Sequence, residues 1–254
     1  MTQFKLGKTP ARHEAVKFKF TKYANLSVLP AVPSGDFGHE KMVTHDWGML
    51  GNDTYGCCVW SGGDHEEMVW NAEGAHPVIF TTQNTLADYA ACTGFDPNNP
   101  DSDQGTDMQV AASYRQKTGL LDANGNRHKV GAYVALRVGD LQELYLASYI
   151  FGAVGVGIEV PASAQDQFGN EPWSVVPGSS IEGGHYVPMV ARRSGLIQFL
   201  TWGAEQAATE QFYTTYNDES LCYISQEMLT GGKTLEGFDI EQLNADLAAL
   251  QQKG

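Results

Sequence analysis

Apolar positions change their period about halfway along the chain. In 58–72 (CVWSGGDHEEMVWNA) they recur at helical spacing, Val59, Met68 and Val69 among them, which predicts a helix. Its paired glycines, Gly62 and Gly63, cost helix propensity and point to close packing there. A second helix fits 84–93 (NTLADYAACT) with Asn84 as N-cap, and a third fits 107–118 (DMQVAASYRQKT) with Gly119 as terminator. Residues 94–106 between them read as loop. Beyond a turn-rich run at 122–126 the pattern shortens into apolar and β-branched segments at 130–138, 153–160, 185–191 and 195–201, interrupted by one helix at 139–151. Helices first and strands afterwards predict an α+β protein with two segregated halves.

The ends read differently. Val16-Lys17-Phe18-Lys19-Phe20 alternates apolar and basic residues, as a short strand with one wet face does, and 25–39 is helix-free and punctuated by proline. From Asp239 the tail is amphipathic, with Ile240, Leu243, Leu247 and Leu250 on one face and a capping box of Asp239 and Gln242. The apolar stripe runs for under two heptads, so docking onto the body is expected rather than a coiled coil with a partner. The expected organisation is a basic arm and linker at 1–43, a helical half at 44–128, a β half at 129–230 and an amphipathic helix at 231–254.

Charge is distributed unevenly. Residues 1–22 carry six lysines and arginines against Glu14 alone, a local charge of +5, so the rest of a chain with net charge −14 carries −19. So acidic a body argues against nucleic acid as a partner. The basic arm is expected to lie back on it; reaching an assembly partner is the other use of such an arm. No apolar run approaches the roughly 18 residues that cross a bilayer, and the first twenty residues lack the apolar core of a secretory signal. No membrane partner and a cytoplasmic location are therefore the default. The four cysteines, Cys57, Cys58, Cys92 and Cys222, show no zinc-type spacing and read as thiols in a reducing compartment, with no metal and no cofactor implied.

Candidate chemistry lies in two stretches. In 46–60 (DWGMLGNDTYGCCVW), Asn52 stands six residues before Cys58, which opens the first predicted helix. A helix N-terminus favours a thiolate. The Cys58 backbone N–H and a nearby side-chain amide can form an oxyanion hole, whose removal typically costs about 3 kcal/mol. In 183–203 (GGHYVPMVARRSGLIQFLTWG), His185 begins an apolar strand after a Gly-Gly turn and a second strand ends in Thr201-Trp202-Gly203. A base on a rigid strand facing a thiol is what nucleophilic cysteine catalysis requires.

With these residues the chain resembles the papain-like cysteine peptidases from about residue 44 to 225. Their oxyanion glutamine stands six residues before the catalytic cysteine, matched by Asn52 and Cys58, with Gly56 two residues before the thiol. Their Gly-rich loop is matched by Gly105-Thr106-Asp107, their histidine by His185, and their Asn-Ser-Trp-Gly motif by Leu200-Thr201-Trp202-Gly203. The resemblance implies an α+β fold in which a helical N-terminal half carries the nucleophile helix against a C-terminal antiparallel β half. The Gly-Asn-Asp…Gly-x-Cys variant with Thr-Trp-Gly also resembles papain-like proteins encoded in phage and prophage genomes.

Three positions depart from the pattern. Asn52 is one methylene shorter than glutamine. The orienting asparagine aligns with Leu200, which cannot bond a ring nitrogen, leaving Thr201 as the nearest polar substitute although strand neighbours face opposite ways. Cys57 crowds the nucleophile. The resemblance implies a thiol hydrolase cutting a peptide or isopeptide-type amide bond through Cys58 and His185, with a peptide or protein substrate. The alternative is a papain-fold structural or assembly protein, such as a virion component. For Cys58 the competing role is a buried structural thiol, and for His185 a histidine bonded to backbone. Asp64-His65-Glu66-Glu67 lacks HExxH spacing and reads as a solvated helix face. About 40 residues before the body are too few for the family's long helical prosegment.

Overall fold

The structure, a computed structural model, describes residues 4–13, 19–23, 29–230 and 232–237. Two short elements come first, α1 (Phe20–Tyr23) and β1 (Phe37–Gly38). The helical half then contains α2 (Cys58–Glu73), α3 (Thr82–Thr93) and α4 (Met108–Lys117), followed by a small hairpin of β2 (Leu120–Leu121) and β3 (Arg127–His128). The β half contains β4 (Val130–Ala135), α5 (Leu141–Phe151), β5 (Val154–Pro161), α6 (Ala162–Gln167), β6 (Ile181–Arg193), β7 (Leu196–Thr201), β8 (Ala204–Ala208), α7 (Glu210–Tyr216) and β9 (Asn217–Ser225). Its strands form one antiparallel sheet in the order β4-β9-β5-β6-β7-β8, with β1 added to β6. The fold class is α+β.

Several elements differ from the pattern reading. The N-cap of α3 is Thr81, whose hydroxyl accepts the Asn84 N–H, so the helix starts two residues before Asn84. β6 begins at Ile181, which puts His185 inside the strand rather than at its start. The glycines before it are part of the ladder, Gly184 opposite Glu159 and Gly183 opposite Val160. β4 stops at Ala135 because the Arg137 and Gly139 amides turn to the side chains of Glu143 and Asn217. β8, β9, α6 and α7 carried no signal strong enough to be read. The alternating stretch at 16–20 lies largely outside the described residues; within them, Lys19 makes an isolated bridge to Ala135 and Phe20 opens α1. The amphipathic tail from Asp239 also lies outside them. Among the described residues no helix is long and apolar enough to cross a membrane.

Helix α2 is buried along its whole length, which the paired glycines make possible. A Cβ at Gly62 would stand 2.4 Å from the Tyr186 ring, so glycine here lets α2 settle onto β6. The run Asp64-His65-Glu66-Glu67 is accordingly buried, not solvated. Its charges are met from distant elements. Arg115 of α4 pairs with Glu66 and Glu67, Tyr186 donates to Glu66, and Thr85 donates to Asp64. His65 Nε2 sits 3.1 Å from the Trp47 and Gly48 carbonyls. Burial lowers its pKa to about 4, so it is a neutral core histidine.

One buried carboxylate is met less fully, by the charge of His39. Glu73, at the end of α2, has no hydrogen bond to Oε1, and burial pushes its pKa up to about 8. A raised native pKa stabilises at low pH, and that contribution is lost as pH rises from the ordinary carboxylate range through about 8. Glu73→Gln is therefore expected to match the parent at pH 5 and to exceed its unfolding free energy by a few kcal/mol (order of magnitude) at pH 9. Urea unfolding at the two pH values reads this; equal differences at both would refute it.

Candidate active site

The thiol is delivered by a tight loop. Gly48, Leu50 and Gly51 adopt φ of 71°, 52° and 90°, and the chain turns sharply enough for the Asn52 N–H to reach Met49 O at 3.0 Å. Leu50 holds the left-handed conformation with a buried side chain, at a cost of roughly 1–2 kcal/mol for a residue with a Cβ. The Asn52 side chain is also buried; its Nδ2 donates to Tyr55 O at 3.1 Å and reaches Lys5 O at 3.5 Å. Cys58 is the first residue of α2, at the positive end of the helix dipole. Burial nonetheless pushes its thiol up to about 11, outweighing the backbone amides of Tyr186, Gly7 and Val59 and the charge of Lys8, which favour the thiolate. Cys57 is wholly buried, its sulfur 3.7 Å from Leu50 O, and burial pushes its thiol well above the ordinary range.

The imidazole comes from the sheet. His185 sits on β6 opposite Ile158, one residue before the Tyr186 amide that faces the sulfur. Its Nε2 is 2.7 Å from Thr201 Oγ1, at the end of β7. Donation from Nε2–H to that hydroxyl leaves the lone pair on Nδ1, which has no hydrogen-bond partner. Trp202 stacks under the ring, centroids 4.7 Å apart and planes 22° apart. It is held there at φ 46° by the following turn, where Gly203 bridges to Gly48 of the thiol loop. Complete burial lowers the His185 pKa to about 3. Thiol and imidazole are thus both neutral in this state.

Their burial has a visible cause: residues 4–12 run through the site as an extended strap. The Lys8 N–H donates to Gly184 O at 3.0 Å, the Thr106 N–H to Gly7 O at 2.7 Å, and the Thr9 N–H to Thr106 O at 3.1 Å. The strap is therefore antiparallel to β6 on one wall and parallel to the 105–106 loop on the other. That loop is itself fixed. Thr106 Oγ1 accepts from Trp60 of α2, and the Tyr89 hydroxyl accepts the Gly105 N–H while donating to Asp103. Only a bare backbone fits, since a Cβ on Gly7 would lie 1.9 Å from Gly56 O and one on Gly184 2.3 Å from Lys8 O. The strap is latched at both ends. The Phe4 ring stacks on Trp202 at 4.6 Å and its N–H donates to Gln165, while Arg12 pairs with Asp107 and its carbonyl accepts from Gln109.

No protein-family model matches the sequence, and no curated protein matches it. Solved structures do. Xylellain, a cysteine protease from Xylella fastidiosa, superposes with a TM-score of 0.66 over 89% of this chain and 98% of its own, at 13% identity. Procathepsin B S9 from Trypanosoma congolense gives 0.63 over 87% of each chain at 11% identity. The Carica candamarcensis cysteine protease CMS1MS2, solved with E-64, gives 0.56 over 76% of this chain and 99% of its own at 12% identity. The fold is papain-like.

Within this papain-like frame, His185 and Thr201 meet at 2.7 Å, Cys58 faces the backbone amides of Tyr186 and Gly7, and Asn52 bonds Tyr55 O in the loop before the thiol. The strap touches the surroundings of each, by Lys5 O at Asn52, by the Gly7 amide at Cys58, by Lys8 at Gly184, and by Phe4 through Trp202. The charge pattern leads to a basic arm lying back on the body, but not to this course past Asn52, Cys58 and Gly184. Residues 4–12 run extended between Gly184 of β6 and the 105–106 loop, with isolated bridges at Lys8 alone. The readable signal was glycine meeting glycine: Gly7, Gly56, Gly105 and Gly184 bring backbones together that no side chain could separate. One trio outside the cleft has the donors for a cation. Ligand atoms of Glu67, His128 and Glu227 lie within 4.8 Å of one another. Carboxylates on both sides of the His128 ring, Glu227 at 2.9 Å and Asp122 at 3.3 Å, hold its pKa at about 9 despite burial, so an imidazolium already supplies the positive charge.

Proposed function

We propose that this chain is a papain-like cysteine hydrolase of peptide or peptide-like amide bonds, held closed by its own N-terminal strap. The observations that support the reading are an extended peptide whose Gly7 amide faces a helix-N-terminal thiol and whose Lys8 N–H bonds Gly184 O, one residue before an imidazole whose Nδ1 is unclaimed. With the strap displaced, water reaches both groups and the burial that keeps them neutral is relieved. Nδ1 then takes the thiol proton, and the Cys58 sulfur attacks the amide carbon. The Cys58 N–H and Asn52 Nδ2 hold the resulting oxyanion. The imidazolium gives its proton to the departing amine, and water, deprotonated by the same nitrogen, hydrolyses the thioester. Thr201 keeps the ring in the required tautomer throughout.

An iodoacetamide-type probe applied to strap-released protein tests this. Cys58 is expected to label ahead of Cys57, Cys92 and Cys222, with labelling abolished in Cys58→Ala and slowed at least tenfold in His185→Ala. A folded, strap-released protein whose Cys58 reacts no faster than free cysteine, with or without His185, would end the hydrolase reading.

A second reading keeps the scaffold without turnover, as an assembly protein such as a phage virion component. It draws on the complete burial of both groups, which pushes the thiol up and the imidazole down and so works against an ion pair in the closed state. There the basic arm would serve a partner rather than the chain's own cleft. The same labelling experiment separates the two.

A further inference from the structure

Among residues 4–13 only Lys8 is buried, and its side chain is completely enclosed. Nζ lies 2.6 Å from Asp218 Oδ2 and 3.4 Å from Glu219 Oε1, and donates to Thr9 O at 3.0 Å. Adjacent residues of a strand normally point to opposite faces. Here a bulge changes that: Gly157 pairs with Glu219 and Ile158 with Asn217, so Asp218 is the extra residue and turns to the same side as its neighbour. The other wall is Gly157, where a Cβ would stand 2.2 Å from Lys8 Cε. A bulge that doubles the carboxylates and a glycine that leaves room for an alkyl stem together form a pocket for a long cation. Asp218 Oδ1 is buried in it without a hydrogen-bond partner. Burial raises the Glu219 pKa while Lys8 opposes the rise, so with Lys8 gone two neighbouring carboxylates face an unfilled space.

We propose that the pocket of Gly157, Asp218 and Glu219 is a substrate subsite that selects a lysine side chain, and that Lys8 occupies it as a stand-in. This rests on the hydrolase reading above and adds the class of chain that is cut: peptides presenting a basic residue beside the thiol. An open groove of about 390 Å³ adjoins Lys8 and Asp218, with Glu159 and His13 also on its lining.

The test uses the full chain carrying Gly7→Ala, which frees the pocket, and a fluorescent peptide of the strap sequence FKLGKTPAR. Anisotropy is expected to show at least tenfold tighter binding of this peptide than of its counterpart with norleucine at the second lysine. Asp218→Asn with Glu219→Gln is expected to erase the difference, with Glu219→Gln alone as the milder variant should the pair not fold. Equal binding of the two peptides overturns the proposal, as does a lysine preference that survives loss of both carboxylates. Cys58 labelling is read separately in the same protein. Lysine preference without labelling sinks the hydrolase reading but leaves the pocket's selectivity standing; labelling without lysine preference does the reverse.

Discussion

Gly7→Ala is expected to raise the alkylation rate of Cys58 at pH 7 by about a hundredfold or more. The new methyl group would stand 1.9 Å from Gly56 O, a backbone atom that cannot yield because both Asp103 carboxylate oxygens hold the Gly56 amide at 3.1 Å. Relief comes only by lifting the strap, which breaks the bonds of Gly7 and its neighbours to Thr106 and Gly184. Burial holds the Cys58 thiol at about 11 against an ordinary value of 9.0, so exposure alone multiplies the thiolate fraction about a hundredfold. Access for the reagent and an ion pair with His185 add to that. Gly35→Ala is the control, since a Cβ there meets nothing within 4 Å. Mass spectrometry of the alkylated protein locates the label, and circular dichroism verifies the fold. An unchanged rate at Cys58 in a folded Gly7→Ala protein would mean that the strap does not govern access.

What could be read from sequence follows from the range of the forces involved. The nucleophile helix was legible because one run of residues fixes its period, and the six-residue step from Asn52 to Cys58 lies within one loop. His185 stood out by its Gly-Gly approach. Thr201 is harder to place, because alignment to the family's orienting residue selects Leu200. The structure turns Thr201 toward His185 at the last position of β7, just before the left-handed Trp202 ends the strand's alternation. The strap left no periodic trace, since its bonds to the two walls are made by backbone and those partners, Thr106 and Gly184, lie about 100 to 180 residues away. The Asp64–Glu67 run was misread for a related reason. Charge invites a solvated reading, and only the fold reveals that Arg115 comes to meet it.

That arginine is expected to be the most costly single residue to remove from the interior. Its guanidinium is buried between Glu66 and Glu67 and lies over the Tyr223 ring at 4.1 Å and the Trp70 ring at 5.5 Å. Arg115→Met keeps most of the packing volume but leaves Glu66 inside α2 with no counter-charge and Glu67 with that of His128 alone, and breaking a buried pair in this way costs about 3–5 kcal/mol. Burial already raises both carboxylates, Glu67 to about 7, even with Arg115 present. Without it they rise further, so the native state binds protons that the unfolded chain releases. The loss should therefore be full at pH 8 and shrink toward pH 5, where both groups take a proton. Urea unfolding at the two pH values reads it, and Glu66→Gln placed in the Arg115→Met background should recover part of the deficit at pH 8. The consequence reaches the site, because Glu66 accepts from the Tyr186 hydroxyl at 2.7 Å and the Tyr186 backbone amide faces the Cys58 sulfur. This buried cluster fixes the nucleophile helix against the histidine strand. A pH-independent loss, or one below about 1 kcal/mol at pH 8, would show that α2 and β6 are joined by apolar packing alone.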